Sequence, residues 1–402
     1  MEDRRSSYPI GASATIAELE GPTPHELLDR LREHEPVSWL PVVDGWLVTR
    51  RDLALAVMRD VETFTVDDPR FSTAQVVGPS MLSLDGAEHE RHRSPFARPF
   101  RLDAVRERFT SVVEDECERL LDAIAPNGEA DLRDALSGPL SVAVMAAALG
   151  LDDLPADVPL AWYRGIVAAV TDITAGVEPS GEGRTAFGEL AGALEPVLDR
   201  EPVTTLLGAS ARGAGALGRA EVVSNAAVLL FGGIETTDGM IANLLHHVLS
   251  SGDARAALES DPGLAANAVE ESLRLEPAAA VVDRYATRDV ELGGARIGRR
   301  ELVRISLAGA NRDPAVFTNP HRFDVCRANA KLQAAFAHGP HVCLGMHLAR
   351  LEAREALVRA LECLPGLRLD PSVDSRPTGL VFRKPAALRV QWNAGLGGTV
   401  TP

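Results

Sequence analysis

The sequence predicts a mainly α protein with a small β region, on three observations. Apolar residues recur at helical spacing over most of its 402 positions. One segment, 221–251, is apolar around most of its circumference, as a helix buried on all sides must be. Strand-like patterning with glycine turns is confined to about 37–49, 281–305 and 378–392. Hydrophobic residues make up 46% of the chain, enough for a large core. No repeat, linker or low-complexity stretch divides it, so 1–402 reads as one domain.

Taken in order, "TPHELLDRLREHEP" reads as a helix with Thr23 as N-cap and Pro24 in its first turn, ending at Pro36. "VSWLPVVDGWLVT" reads as a hairpin turning at Asp44-Gly45. Helix returns over 51–60. Residues 62–86 read as a long, polar, irregular connection, a kind of loop that often carries function. Helices then run to about 125 and over 131–150 and 157–200, with glycine and serine breaks. The buried helix and another over 263–275 follow. From "VVDRYATRDVELGGARIGRRELVRISLA" the period becomes that of short strands, and "GLVFRKPAALRVQW" reads as strand again.

The net charge of −16 argues against nonspecific binding to nucleic acid, which needs a basic surface. No unbroken apolar run has the length of a signal peptide or a membrane span, so a cytoplasmic protein without a membrane anchor is expected. Cys117, Cys326, Cys343 and Cys363 are scattered without a disulfide framework. Of the 41 basic residues only Lys331 and Lys384 are lysines, as codon bias in a GC-rich genome would produce.

Residues 335–345 read "AFAHGPHVCLG". After Cys343, Leu344, Leu348, Leu351, Val358 and Leu361 recur at helical spacing until Pro365-Gly366. The cysteine therefore sits at or just before a helix N-terminus, where free amides and the helix dipole favour a thiolate and lower its pKa. Gly339 and Gly345 allow sharp turns and the close approach of a flat ligand. A free cysteine is most often a buried structural residue, which leaves the glycines unexplained. His338, His341, Cys343 and His347 offer zinc ligands, although structural zinc ligands usually come as separated pairs. A haem iron held by the thiolate uses both the cysteine and the glycines.

Other groupings are weaker alone. Glu271 and Arg274 stand one helical turn apart, but so do Glu90/Arg93 and Glu301/Arg304, and a solvated pair is worth only about 0–1 kcal/mol. In "FGGIETT", Gly232 and Gly233 each cost roughly 1 kcal/mol relative to alanine. They mark either close helix packing or a local widening beside a ligand. Glu235 and Thr236 add an acid and a hydroxyl to an otherwise apolar helix, as proton delivery requires. His89 and Arg93 lie four apart on one helical face, which by itself reads as a solvated basic face.

Phe336, Gly339, His341, Cys343 and Gly345 match the pattern F-x-x-G-x-H-x-C-x-G. On that match the chain resembles the cytochrome P-450 family of haem-thiolate monooxygenases, in particular its soluble actinobacterial members, over almost its whole length. The resemblance implies a triangular α-rich fold, with haem b between the long buried helix and the helix after the cysteine. It implies that Cys343 is the iron ligand and Phe336 packs near it. His341, His89, Arg93 and Arg284 would hold haem propionates, and Glu271, Arg274 and Arg322 would form a cluster behind the haem. Glu235 and Thr236 would serve oxygen activation.

The substrate pocket implied is lined by Phe71, Val77, Met81, Leu229, Gly232, Val281, Val282, Leu380 and Val381, aliphatic enough for a small apolar molecule. One atom of O2 would enter that substrate, in secondary metabolism. Electrons would come from a separate ferredoxin or flavodoxin, because no reductase is fused; His347, Arg350 and Arg354 could meet such an acidic partner. A monomer is expected. The alternatives are an atypical member that couples, rearranges or nitrates, or a haem protein that only transfers electrons or senses gas. Gln333 stands where many relatives have a propionate-binding histidine, Ala337 where glycine is common, and "IGRRE" where I-P-A-G-E is usual.

Overall fold

The helix Arg219–Ser250 runs through the chain's largest core, and the other elements are arranged around it. The computed structural model describes residues 4–174, 177–179, 181–199, 207 and 217–394. By length and composition this long helix is apolar enough to cross a membrane, but 83% of its most apolar window lies inside the protein. It is a core helix, and no unbroken run marks it in the sequence because Glu235 and Asp238 interrupt it. Against it pack Gly138–Leu149, Ala265–Leu275 and the cysteine helix Met346–Cys363. Leu102–Ile124 packs on the cysteine helix and on Gly138–Leu149, and the paired helices Asp157–Thr174 and Glu182–Asp199 also touch the long helix.

The main sheet of the β region has five strands, in the order Val37–Leu40, Gly45–Val48, Leu302–Ser306, Val281–Ala286 and Phe64–Thr65. These strands are Val37–Leu40 (β1), Gly45–Val48 (β2), Phe64–Thr65 (β3), Val281–Ala286 (β5) and Leu302–Ser306 (β8). Only β2 and β8 run parallel. Val37, Trp46, Val48, Phe64, Val303 and Ile305 form its buried apolar cluster. The first hairpin turns at Asp44, whose left-handed φ of 45° an aspartate tolerates. Val290–Leu292 and Ala295–Ile297 (β6, β7) make a small ribbon, and β4 (Glu129–Asp131), β10 (Arg389–Gln391) and β9 (Arg368–Leu369) a third sheet.

Several boundaries differ from the pattern-based reading. The first long helix spans His25–His34 with Pro24 as its cap residue and no side-chain cap bond, so Thr23 does not cap it. The connection 62–86 holds β3 and the helix Ser72–Val77, because Phe64 pairs with Ala286 on a sheet edge and Val76 and Val77 bury into the core. Only Arg389–Gln391 is regular strand in the tail; before it, 378–384 forms a tight hairpin with single bridges Thr378–Lys384 and Ala279–Phe382. The strand Glu129–Asp131 had no local signature, since its partner β10 lies at the other end of the chain.

Candidate active site

Gly339 opens the cysteine loop at φ 76°, and a Cβ there would lie 2.5 Å from the Met58 carbonyl oxygen. The loop thus presses against the end of the helix Arg51–Arg59. The Cys343 amide donates to the Phe336 carbonyl at 2.8 Å, and Arg93 Nη2 reaches the Val342 carbonyl at 2.6 Å. The next helix starts at Met346 with Gly345 as its cap residue, so Cys343 does sit just before a helix N-terminus. Its thiol is nonetheless not lowered. Loss of water pushes it up, against the Gly345 and Met346 amides and the charges of Arg93 and Arg350. Desolvation outweighs the helix end here, and a coordinated metal would be needed to hold the sulfur as thiolate.

Among the described residues, His89 Nε2 and Arg284 Nε are buried near the loop with no hydrogen-bond partner, as is Arg51 Nε on the adjoining helix. Burial, with His341 and Arg93 nearby, pushes the His89 imidazole down to about 4; burial also lowers the Arg284 guanidinium, despite Asp85 and Asp283. A cleft of about 430 Å³ opens beside His89 and Arg93, bounded by Gly86 and Pro340. Unpaired buried donors are rare and demand acceptors. A sulfur ligand, an access glycine and orphaned donors that suit carboxylates together fit an iron porphyrin with its two propionates. His341 was expected on a propionate, but its Nε2 is 2.7 Å from Asp85 Oδ1 and its ring centroid 4.2 Å from that of His89. The ring nitrogen left free is on His89, because Asp85 also binds Thr65 and the Val66 amide and is fixed in place. Burial pushes the Asp85 carboxyl up, but those bonds together hold it at about 2.

Glu271 and Arg274 are both fully buried and form a bidentate pair at 2.7 and 2.8 Å. Their third partner is Arg327, whose Nε lies 2.9 Å from both Glu271 oxygens. Arg322 is not in the cluster: its side chain is 64% exposed and lies 3.6 Å from Asp253. It contributes only its backbone carbonyl, which accepts from Arg274 and Arg327. The turns between 318 and 327 carry the chain past Glu271 and bring Arg327 inward, which spacing could not reveal. Gln333 donates to Glu270 at 3.1 Å, and Glu270 holds Arg350 at 2.5 Å, whose guanidinium sits 4.5 Å over the Phe336 ring.

On the long helix the two glycines divide their roles. A Cβ on Gly233 would collide with Met145, so that position is close packing; Gly232 meets nothing within 4 Å. Thr236 Oγ1 donates to the Gly232 carbonyl at 2.6 Å. Glu235 is buried, accepts a hydrogen bond from Tyr163 and lies 2.8 Å from Lys384 Nζ. Lys384 and Tyr163 were missed; the scarcity of lysine was the only signal. The expected pocket residues are distributed over three apolar clusters. Val77, Met81 and Leu229 pack with the main helical core, Val282 with the sheet, and Leu380 with the N-terminal cluster of Leu28 and Leu47. Val281 is buried; Phe71 and Val381 are half-buried. Phe382 packs edge-on against Phe231 at 5.7 Å.

Residues 263–370, which span the buried Glu–Arg–Arg cluster and the cysteine loop, match the family model described as Cytochrome P450. PikC, a cytochrome P450 monooxygenase of Streptomyces venezuelae, is 33% identical over 92% of each chain. The chain belongs to the cytochrome P450 family. Nocardicin C N-oxygenase of Nocardia uniformis subsp. tsuyamanensis is 34% identical over 96% of this P450 and 98% of its own length. Among solved structures, CalO2 superposes with a TM-score of 0.83 at 30% identity, covering 92% of this chain and 96% of its own. CxnD, a P450 described for C–S bond formation, superposes at 0.83 and 25% identity over 94% and 98% of the two chains. The triangular α-rich P450 fold expected from the sequence is thus present, and the protein is a P450 monooxygenase with a haem-iron cofactor.

Proposed function

We propose that this P450 holds haem b through Cys343 and inserts one atom of O2 into a small, largely apolar organic substrate of secondary metabolism. Bound haem supplies the iron that activates oxygen. His89, Arg93 and Arg284 hold its carboxylates, the two orphaned donors finding acceptors there. Phe336 and Arg350 pack beside the sulfur loop, and Arg350 is kept in place by Glu270. Gly232 keeps the face of the long helix open, Thr236 offers a hydroxyl, and Glu235 carries protons inward from solvent. The observation that carries the reading is this acid–alcohol pair on a buried helix beside an open glycine; a passive haem protein has no use for it.

Electrons come from a separate ferredoxin or flavodoxin that meets His347, Arg350 and Arg354, of which Arg354 is exposed and Arg350 is already paired with Glu270. The enzyme works as a cytoplasmic monomer. Oxidative coupling is the second reading, favoured by the likeness to CxnD. The test is Cys343→His together with Thr236→Val. The first should abolish the long-wavelength Soret band of the reduced carbon monoxide complex. The second should leave reductant consumption intact while peroxide per electron rises and product falls, a relay of this kind being worth about 10²–10⁴. A retained band, or unchanged coupling in both Thr236→Val and Glu235→Gln, would refute it.

A further inference from the structure

The chain has four tryptophans and three tyrosines in 402 residues, yet two of those tryptophans and one of the tyrosines meet in one place. The Trp46 ring centroid lies 5.5 Å from that of Trp39 and 5.1 Å from that of Tyr8, both edge-on. Trp46 is buried, while Trp39 and Tyr8 are half-buried, so the group runs from the core to the surface. The Trp46 indole Nε1 donates to Glu301 Oε2 at 2.7 Å. The same carboxylate accepts from the Gly298 amide at 2.8 Å and holds Arg4 at 2.7 Å, whose guanidinium lies over both indole rings.

The sheet register ties this group to the site. Trp39 pairs with Trp46, Trp46 with Val303, and Val303 with Arg284, so the four stand in one row across β1, β2, β8 and β5. Val282 and Ala286 share a side with Arg284 by alternation, and both pack in one apolar cluster with Trp46 and Val303, so the row lies on a single face. Ala334 and Ala337, which bracket Phe336 in the cysteine loop, belong to that cluster too. Arg284, with its orphaned Nε, is the inner end of the row, two strands and about 10 Å from Trp46.

We propose that Trp46, with Tyr8 and Trp39, is a protective electron relay: it carries electrons from the surface to the haem site when oxygen has been activated and no substrate reacts. The inference rests on reading Cys343 and Arg284 as holding haem. In each step one electron leaves Trp46, and the oxidised haem site is reduced by one equivalent. The indole proton passes along the 2.7 Å bond to Glu301, which leaves a neutral indolyl radical. Arg4 opposes positive charge on the ring, so this proton loss is what makes Trp46 oxidisable. Tyr8 then gives one electron to Trp46, the proton returns from Glu301, and the phenol proton goes to water. A small thiol in solution restores Tyr8 with one hydrogen atom and is itself oxidised to a thiyl radical. Trp39 offers Trp46 a second half-buried neighbour for the same exchange.

The test mixes substrate-free holoenzyme with m-chloroperbenzoic acid, a two-electron oxidant of haem iron, and freezes it at once. Electron paramagnetic resonance should show an organic radical whose spectrum changes when ring-deuterated tryptophan or tyrosine is built in. Peptide mass spectrometry should place oxidation at Trp46, Trp39 or Tyr8. Trp46→Phe should lose that radical and bleach its Soret band several-fold faster. Trp392→Phe should not, since that indole donates to the Ala125 carbonyl beside the third sheet. Glu301→Gln keeps the shape but cannot take a proton, and should lower the radical yield several-fold. Tyr8→Phe, at the surface end, should prolong the tryptophan signal. Glutathione should slow bleaching in the wild type and not in Trp46→Phe. A radical confined to Trp162 or Tyr163, or equal bleaching and equal radical yield in the wild type and Glu301→Gln, overturns the relay alone. A wild-type protein that takes up no haem overturns the haem-thiolate reading and the relay with it.

Discussion

Arg327→Ala, set beside Glu271→Ala and Arg322→Ala, tests the buried cluster directly. Arg327 places Nε 2.9 Å from both Glu271 oxygens and donates to the Thr318, Asn319 and Arg322 carbonyls. Its loss removes a charge-assisted bond worth about 1.5–3 kcal/mol. It does not strand Glu271, which keeps Arg274 at 2.7 Å and the Asp324 amide at 3.0 Å. With two backbone carbonyls losing a donor, roughly 3 kcal/mol is expected. Glu271→Ala is worse, because two guanidiniums then share a dry site without an anion. Breaking one buried pair costs about 3–5 kcal/mol, and this change breaks two. Against a total stability of about 5–15 kcal/mol it should leave little folded, haem-loaded protein. Arg322 is exposed, so Arg322→Ala should cost less than about 1 kcal/mol. The assay is urea denaturation followed by circular dichroism, with haem content after purification. An Arg322→Ala variant as damaged as Arg327→Ala, or an undamaged Arg327→Ala, would refute the assignment.

Three further outcomes are expected. Gly339→Ala should cost several kcal/mol and empty the haem site, because a Cβ meets the Met58 carbonyl at left-handed φ; Ala337→Gly, at φ 58°, should be neutral or slightly stabilising as relief of about 1–2 kcal/mol offsets the entropy of glycine. Thermal melts would show the contrast, and equal melting of the two variants would refute it. His89→Leu and Arg284→Leu should speed haem transfer to apomyoglobin; His89→Leu should leave the haem-free protein no less stable, since it removes a buried nitrogen without a partner, whereas Arg284→Leu also loses the Nη1 bond to the Asp283 carbonyl and should cost about 1 kcal/mol; unchanged transfer would place the propionates elsewhere. The Asp85 carboxyl is held at about 2 against its ordinary 3.8, so its contribution of about 2 kcal/mol is full above pH 4 and lost as pH falls towards 2. Asp85→Asn should flatten the fall in stability over that window, measured by denaturation at pH 5, 4 and 3, and an unaltered slope would count against the Asp85–His341 contact.

Local patterning carried much of the molecule. Cys343 with its glycines, the all-round apolar helix and the hairpin at Asp44 are short-range features, because helix faces, turns and loop access are set by residues within a few positions of each other, whereas the pair Glu271/Arg274 stood out from like spacings only through the family resemblance. What only the tertiary structure decided is which distant groups meet. Arg327 replaces Arg322 because loop turns, not spacing, choose which guanidinium faces Glu271. His341 goes to Asp85 and leaves His89 with the free nitrogen because the helix Gly86–Ala97 and the cysteine loop bring those rings to 4.2 Å. The Cys343 thiol is pushed up although it heads a helix, because desolvation depends on everything packed around the sulfur. Lys384 reaches Glu235 from the far end of the chain, and Tyr163 from another helix. Such pairings depend on burial and on the path of the whole backbone, so the chemistry of the site was legible in residue types, while its wiring existed only once the chain was folded.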